Sequence, residues 1–441
     1  MKGRFGGLEP LAAVNWARER VHGNRGGEPC GFFSVCSAHP MVLQVAIQRA
    51  AARSGYVCIE STSNQVNQFG GYTGFTPVEF ARQVSVVADQ NGLPRESVLL
   101  GGDHLGPHPW RKYASRTAMQ NAMQLVRACV LAGYQKIHLD ASMRCADDPE
   151  KVEEEELARR AALLCQAAEE ACRGSGRAPD SLMYVIGTEV PIPGGELASD
   201  SLVRLTNAST ARGTLELSER KFAELGLQEA WQRVIALVVQ PGVEFGDSAV
   251  TEYQHEHARE LSIALPASPE LVYEAHSTDY QTPAALRRMV QDHFAILKVG
   301  PWLTFAMREA IFALAAIERE LGRKPGMILS DVPGALDEAM MENTEHWKGY
   351  YQGTDSEVRF ARRFSLSDRC RYYWGDERVQ RELKKLIRNL SSAPIPLSLI
   401  SQFLPMQYES VRSGSLEPEP ISLIKNKISY VCEIYEAATE R

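Results

Sequence analysis

Short apolar runs alternate with segments of helical length through residues 31–322 of this chain. Most of the runs end in a polar or charged residue. The eight runs lie at 32–36, 56–60, 98–100, 136–140, 184–189, 234–240, 271–276 and 296–299. Parallel strands need long crossover connections, and helices supply them in an eight-stranded α/β barrel. The alternation predicts an α/β fold, a (β/α)8 TIM barrel, with its site at the C-terminal ends of the strands.

The segments on either side of the barrel look helical. Residues 1–30 predict an N-terminal helical segment, with a helix from Pro10 to about Val21 that could cover the bottom of the barrel. Residues 31–322 form the predicted barrel domain, and Gly322–Gly334 reads as a linker because it is rich in glycine and proline. Residues 323–441 show only helical patterns and predict an all-helical C-terminal extension. The predicted helices after the first crossover are 116–132, 152–173, 219–230, 283–293, 303–321, 335–341, 377–389, 397–403 and 421–438.

Composition excludes two classes of partner. The net charge is −7 and no lysine or arginine cluster forms a basic stripe, so we expect no nucleic acid. No apolar run approaches the roughly 20 residues of a membrane helix, and the N-terminus lacks the apolar core of a signal peptide. The nine cysteines are scattered without a CxxC pair. We expect a cytoplasmic protein with reduced cysteines, Cys36 among them as a core residue.

Three strand ends carry side chains suited to catalysis or metal binding. Asp103 and His104 follow Gly101-Gly102 after the third run, His276 ends the seventh, and Glu189 ends the fifth. Neutral imidazole binds divalent metals, and a neighbouring carboxylate can move protons. The alternatives are a polar turn at Asp103, a structural histidine at 276 and a salt bridge at Glu189. Position at strand ends favours function for the first two and leaves Glu189 open.

Other strand ends suggest contacts to a ligand. Ser277 and Thr278, with Gly300–Thr304 at the start of a helix, lie where barrels bind phosphate. Lys298 is a candidate for a Schiff base, a phosphate contact or an ion pair. Gln240 suits hydrogen bonding better than metal binding. The further candidates for substrate contact are Ser34, Glu60, Asn64, Gln68, Asp140, Glu244 and Asp279. The histidines at 39, 108, 138, 255, 257 and 293 lack comparable context and are interpreted as structural.

Arg371-Tyr372-Tyr373-Trp374 is an aromatic patch in the predicted extension. It reads either as an interface or as part of a packed helical region. Packing is favoured because aromatic clusters usually pack.

Long stretches of the chain resemble the tagatose-bisphosphate aldolase subunit family of the GatZ/KbaZ type. The resemblance covers nearly the whole chain from residue 31. The matching stretches are SVCSAHP (34–40), STSNQVNQFGGYTG (61–74), GGDHLGP (101–107), KIHLDASM (136–143), YVIGTEVPIPGG (184–195), VVQPGVEF (238–245), EAHSTDYQT (274–282), ILKVGPWLTFAMREAIFAL (296–314), SLSDRCRYYW (365–374) and IPLSLISQFLP (395–405).

The resemblance implies a TIM barrel related to class II fructose- and tagatose-bisphosphate aldolases, with a divalent metal ion such as Zn, Mn, Co or Ni. It implies that Asp103 moves a proton at the C4 hydroxyl of the sugar. The resemblance also implies that His104 and His276 are metal ligands and that Glu189 is a glutamate near the metal. We expect His104, His276 and Glu189 to hold the ion with Gln240 close by, and Glu189 is the alternative to Asp103 as the catalytic base. Gln240 stands where those aldolases have their middle histidine, which argues against aldolase cleavage itself.

The family also frames the expected function. The leading expectation is a ketohexose C4 epimerase acting on D-tagatose 6-phosphate and D-fructose 6-phosphate, or on the free sugars, through retro-aldol cleavage. The alternative is a non-catalytic subunit that stabilises a class II D-tagatose-1,6-bisphosphate aldolase, which would then be its partner. We also expect a homo-oligomer. A kinase name is sometimes attached to the family, but the sequence has no GxxxxGK[ST] loop.

Overall fold

Eight parallel strands close into a barrel in the computed structural model, which describes residues 11–187, 205–265, 270–322 and 328–440. Strand β1 pairs with both β2 and β8, so the barrel has no open edge. This confirms the predicted TIM barrel. The strands are β1 Phe32–Val35, β2 Val57–Thr62, β3 Val98–Leu105, β4 Lys136–Leu139, β5 Met183–Ile186, β6 Val234–Val239, β7 Val272–Ala275 and β8 Ile296–Val299.

Helices connect the strands and continue beyond the barrel. A short antiparallel hairpin follows β6, and its two strands, Glu244–Phe245 and Val250–Thr251, have two residues each. No described helix combines the length and apolarity that a membrane span requires. The α-helices are Ala12–Arg25, Pro40–Ala52, Pro77–Gln90, Ser115–Leu131, Glu154–Ser175, Ala208–Glu224, Gln228–Trp231, His255–Ile263, Pro283–Gln291, Pro301–Leu321, Val332–Glu342, Asp355–Phe364, Glu377–Leu390, Leu397–Phe403, Tyr408–Arg412 and Pro420–Thr439.

Several predicted boundaries are wrong. The helix predicted at 219–230 begins at Ala208, because the Asn207 side chain accepts a hydrogen bond from the Thr210 amide and caps it. It ends at Glu224 before Gly226, which has a φ of 71°. The predicted linker 322–334 is also too long, since a helix capped by Asp331 begins at Val332.

The two ends of the barrel are filled differently. At the bottom, Val14 and Val21 of the N-terminal helix pack with apolar interior residues such as Leu99 and Ile235. This burial of apolar surface stabilises the lower half. Toward the top, charged side chains replace apolar ones, and the C-terminal helix Pro420–Thr439 packs outside against Pro301–Leu321.

The charged layer inside the barrel depends on one glycine. Glu60, Lys136, Glu274 and Lys298 are each 4 % exposed or less. Gly101 lies between Glu60 and Lys136 in the strand register, and a Cβ at Gly101 would lie 2.8 Å from Glu60 Oε1. Its missing side chain gives the glutamate room to reach across β3 to Lys136.

Candidate active site

The end of β3 turns two consecutive side chains into the barrel mouth. The register with β4 shifts between Gly102 and Leu105, and His104 has a φ of 48°. Successive side chains of a regular strand point to opposite faces, and a bulge breaks that alternation. Asp103 and His104 therefore both line the cavity above the barrel. Backbone strain of this kind is often found at functional sites.

The end of β7 likewise combines a positive φ with side chains that line the cavity. Ser277 has a φ of 53°, and both His276 and Ser277 line the cavity.

On the β4 side, His104 Nδ1 lies 2.8 Å from Asp140 Oδ2. Asp140 Oδ1 accepts hydrogen bonds from the backbone and hydroxyl of Ser142. Asp140, predicted to contact substrate, instead orients the His104 ring.

Three imidazole rings meet above the strands. The ring centroid of His104 lies 5.1 Å from that of His138 and 4.9 Å from that of His276, and the last two are 5.3 Å apart. Asp103, His138, Glu274 and His276 each offer a ligand atom, and these atoms lie within 4.8 Å of one another. All four residues are buried. Nitrogen and carboxylate donors this close form a candidate metal centre.

Two lysines form ion pairs with the carboxylates of the cluster. Lys136 Nζ lies 2.7 Å from Glu60 Oε1 and 2.6 Å from Glu274 Oε2. Lys298 Nζ lies 3.0 Å from Asp103 Oδ1 and 3.6 Å from Glu274 Oε1, and it also contacts Glu60. Buried charges are tolerated when they are paired in this way. Of the three roles predicted for Lys298, the ion pair is the one observed, and Glu60 serves in the same network.

The surroundings fix the charge state of the key groups. Burial would raise the pKa of Asp103, but His104, Lys298 and His138 hold it well below its usual range. Burial would lower the pKa of Lys298, yet Asp103, Glu274 and Glu60 raise it well above normal. Burial lowers the pKa of His276 to about 4.

At neutral pH, Asp103 is therefore a carboxylate, Lys298 an ammonium and His276 a neutral imidazole. Neutral imidazole is the form that binds metals. A protonated lysine is not nucleophilic, which weighs against the Schiff-base role for Lys298.

Sequence reasoning missed three members of the cluster, namely Lys136, His138 and Glu274. The alternation of side chains carried a signal. Lys136 and His138 alternate with apolar residues on β4, and Glu274 on β7 and His276 just after it follow the same alternation. Polar residues at every second position of an otherwise apolar barrel strand point to the interior. The interpretation of His138 as a structural residue does not fit its place among the donor atoms.

The donor set fits a divalent ion. His138 Nε2 is buried and has no hydrogen-bond partner among the described residues. His138 Nδ1 accepts a hydrogen bond from the backbone amide of His104 at 3.1 Å and lies 2.9 Å from Asp103 Oδ1. His138 and His276, with carboxylate oxygen from the same cluster, would hold Zn, Mn, Co or Ni.

A cleft lies above this cluster. Of the predicted contact residues, Asn64, Ser277, Asp279, Lys298 and Gly300 line it. Cys36 lines it too, although the sequence predicted a core residue. The remaining described wall is Thr62, Gln65, Tyr72, Phe245, Val299, Pro301, Arg371 and Tyr372, together with Asp103, His104 and His276.

The Arg371–Trp374 patch divides between two roles. Tyr373 and Trp374 are buried in the extension, as the packing interpretation predicts. Arg371 and Tyr372 instead reach over the barrel and line the cleft, which neither interpretation included.

Four predicted contacts are engaged elsewhere. Gln240 Oε1 accepts hydrogen bonds from the backbone of Gly242 and Val243, so it shapes a turn and does not line the cleft. Gln68 Nε2 donates to a helix carbonyl, and the hydroxyl of Ser34 contacts the Cys58 thiol inside the barrel. Glu244 Oε1 accepts from the Phe245 amide and Glu244 Oε2 from the Ser277 hydroxyl. Glu189 lies outside the described residues.

The groups predicted to bind phosphate, Thr278 and the helix start at Gly300–Thr304, already bind other groups of the protein. Thr278 is fully buried, and its hydroxyl donates to the Lys298 carbonyl at 2.6 Å. Asp279 Oδ1 accepts hydrogen bonds from the amides of Gly300 and Trp302, at 3.0 and 2.8 Å. These amides begin the helix Pro301–Leu321, so the aspartate takes the place that a phosphate would need. The prediction that Thr278 and this helix start bind phosphate is not supported by the geometry.

Fold and cluster together define a class: a (β/α)8 barrel with imidazole, carboxylate and ammonium groups at the C-terminal ends of its strands, where enzymes of this fold have their sites. Residues 18–440 match the family described as D-tagatose-1,6-bisphosphate aldolase subunit GatZ/KbaZ-like, and the chain belongs to that family. The resemblance drawn from the sequence motifs is thereby confirmed.

A solved structure of similar sequence has the same fold. The chain is 42% identical to a probable tagatose 6 phosphate kinase from Sinorhizobium meliloti 1021, with a TM-score of 0.85 over 92% of this chain and 100% of that chain. It is 13% identical to the YdjI aldolase from Escherichia coli K12, with a TM-score of 0.40 over 86% and 97%. It is 12% identical to a fructose-bisphosphate aldolase from Campylobacter jejuni, with a TM-score of 0.44 over 86% and 91%. The last two TM-scores are below 0.5, so these two similarities carry no argument about the fold or the activity.

Proposed function

We propose that the protein is a metal-dependent C4 epimerase of ketohexoses that interconverts D-tagatose 6-phosphate and D-fructose 6-phosphate. The observation that carries the proposal is an ionised Asp103 carboxylate in one buried cluster with His138 and His276, at the floor of the cleft. Epimerisation at C4 of a ketose needs a base at the C4 hydroxyl and stabilisation of charge near C2 and C3. This cluster offers both within one barrel mouth.

The reaction would break and re-form the C3–C4 bond. Asp103 accepts the proton of the C4 hydroxyl while the bonding electrons move toward the C2 carbonyl, which leaves an aldehyde at C4 and a three-carbon enediolate. The aldehyde rotates, C3 attacks its other face, and Asp103 returns the proton to the oxygen on C4. A divalent ion held by His138 and His276 would supply Lewis-acid stabilisation of negative charge on the sugar oxygens.

Two features of the chain's own residues support this route. Lys298, 3.0 Å from Asp103 Oδ1, keeps the carboxylate ionised and therefore able to act as a base. Arg371 and Tyr372 of the extension line the cleft together with the barrel residues. A covered cleft would hold the two three-carbon fragments between cleavage and re-addition, which an epimerase requires and a cleaving aldolase does not.

A second candidate function is a non-catalytic subunit that stabilises a class II aldolase. The observation that favours it is the lysine pairing, because Glu60, Asp103 and Glu274 each form an ion pair with Lys136 or Lys298. The family description also names a subunit. The kinase name of the Sinorhizobium meliloti protein has no counterpart in a phosphate-binding loop of this sequence.

One NMR experiment separates these functions. Purified protein is incubated with D-tagatose 6-phosphate and Zn²⁺, Mn²⁺, Co²⁺ or Ni²⁺ in turn. The epimerase proposal expects D-fructose 6-phosphate. Accumulation of free triose products would indicate aldol cleavage, and no reaction with any ion would favour the subunit role. In that case a co-expressed class II aldolase should gain thermal stability from this chain.

A further inference from the structure

The C-terminal extension places a cationic side chain in the wall of the cleft. Arg371 follows a stretch of buried residues at 367–370 and projects over the barrel mouth with Tyr372. The same cleft contains Asp103 and His276 at its floor. A ligand in this cleft can therefore contact both Arg371 and the cluster.

Hydrogen bonds hold the guanidinium in place and leave it with N–H groups to spare. Arg371 Nη1 donates to the carbonyls of Ser367 and Asp368, at 2.5 and 3.1 Å. Arg371 Nη2 donates to the Tyr372 hydroxyl at 3.0 Å. A guanidinium has five N–H donors, so these three bonds do not exhaust it.

The guanidinium lacks an ionic partner within the described ranges. The adjacent Asp368 carboxylate pairs instead with Arg308, at 3.1 Å, and accepts a hydrogen bond from Thr304. Asp279 feels the Arg371 charge only at longer range, and its Oδ1 is held by two backbone amides. The Asp368 carboxylate still acts on Arg371 electrostatically, but no salt bridge of Arg371 is present among the described residues. A partly buried cation that faces a cleft without a direct ion pair is suited to an anionic ligand.

An aromatic stack fixes the position of this part of the wall. The Tyr372 ring lies 4.5 Å from the ring of Tyr72, which belongs to the loop after β2, and 4.5 Å from the ring of His346. Barrel loop and extension thus hold Tyr372 from both sides. The rigid ring in turn supports the arginine that it contacts, so little order has to be gained when a ligand binds.

We propose that Arg371 binds the phosphate group of the ketohexose phosphate, with the sugar extending from it to the cluster at the barrel mouth. This inference rests on the proposed function, because it takes a ketohexose phosphate as the ligand of the cleft. It gives the helical extension a role in substrate specificity. It also places the phosphate away from Thr278 and from the helix start that Asp279 occupies.

The test is a comparison of binding with and without the phosphate. Dissociation constants for D-tagatose 6-phosphate and D-tagatose are measured by calorimetry for the wild type, Arg371→Met, Arg371→Lys and the control Arg381→Met, which changes an exposed arginine of the extension. Charge-assisted hydrogen bonds of this kind predict a loss of about 10- to 100-fold for the phosphorylated sugar in Arg371→Met. The free sugar and the control should change by less than about threefold, and lysine should restore part of the loss.

Equal losses for both sugars, or no loss for either, would overturn the role of Arg371. If Arg371→Met fails to fold, the same question is put to the wild type with inorganic phosphate as a competitor. Phosphate should compete with D-tagatose 6-phosphate and leave the binding of D-tagatose unchanged. Competition with both sugars, or with neither, overturns the proposal. Binding is read without turnover. If the wild type prefers the phosphorylated sugar through Arg371 but epimerises nothing, this inference stands and the proposed epimerase activity is wrong. If the protein is an active epimerase without that preference, the proposed activity stands and this inference is wrong.

Discussion

Replacing Asp103 with asparagine removes one charge from the cluster and almost no volume. Two lysines, Lys136 and Lys298, face three carboxylates, those of Asp103, Glu60 and Glu274. The substitution leaves two lysines against two carboxylates. The ammonium of Lys298 keeps Glu60 and Glu274, so no buried charge is left alone.

The expected effects on stability and on turnover are therefore very different. Breaking a buried pair outright costs about 3–5 kcal/mol, whereas here the asparagine oxygen can still accept from Lys298, and we expect a loss of about 1 kcal/mol in the free energy of unfolding. The proton acceptor for the C4 hydroxyl is gone. General acid–base help is typically worth about 10²–10⁴-fold, and kcat should fall by that factor.

The assay measures kcat by NMR, the free energy of unfolding by urea titration and bound metal by elemental analysis. Asp89→Asn serves as the control because Asp89 is exposed and pairs only with Arg95 outside the barrel. A kcat of Asp103→Asn within about threefold of the wild type would refute the base assignment. A lost kcat with lost metal would show that Asp103 is needed for the ion rather than for the proton.

Three further predictions concern single side chains. His138→Ala should lose divalent metal from protein purified without chelator while the exposed His22→Ala keeps it; equal metal content in both would remove His138 from the centre. Thr278→Val loses the hydroxyl that contacts Tyr435, so the free energy of unfolding should fall by about 1–3 kcal/mol with equal effects on both ketoses. A selective loss for the phosphorylated ketose would return the phosphate to this corner. Burial raises the pKa of Asp279 from 3.8 to about 6, so the native state binds the extra proton and the free energy of unfolding should fall by roughly 3 kcal/mol as pH rises through that interval. Urea titrations between pH 4 and 7 should show that fall in the wild type and not in Asp279→Asn; parallel profiles would contradict it.

The barrel could be predicted because its signal is local. Each short apolar run is one strand, and a polar residue marks where it leaves the sheet. Asp103, His104 and His276 could be found for the same reason, since they stand at those ends. The backbone that brings them into the cleft has a positive φ at His104 and at Ser277. A positive φ is uncommon in residues other than glycine, so the sequence carries no sign of it.

Residues inside strands and contacts across long distances were harder to predict. His138 and Glu274 lie within or at the end of short runs, and only the barrel geometry shows that they face inward. Arg371 reaches the cleft from an extension whose docking on the barrel cannot be read from helical periodicity. At Asp279 the sequence led to a site that the structure does not offer. The start of the helix Pro301–Leu321 was predicted to bind phosphate, but its amides already bind the Asp279 carboxylate from the preceding loop.

The central claim is tested most directly by following D-tagatose 6-phosphate labelled with ¹³C at C4 in D₂O with the metal-loaded wild-type protein. Retro-aldol epimerisation breaks C3–C4 and never the C4–H bond. The account predicts labelled D-fructose 6-phosphate that carries no deuterium at C4. Deuterium at C4, or no conversion with any of the four metal ions, would contradict it.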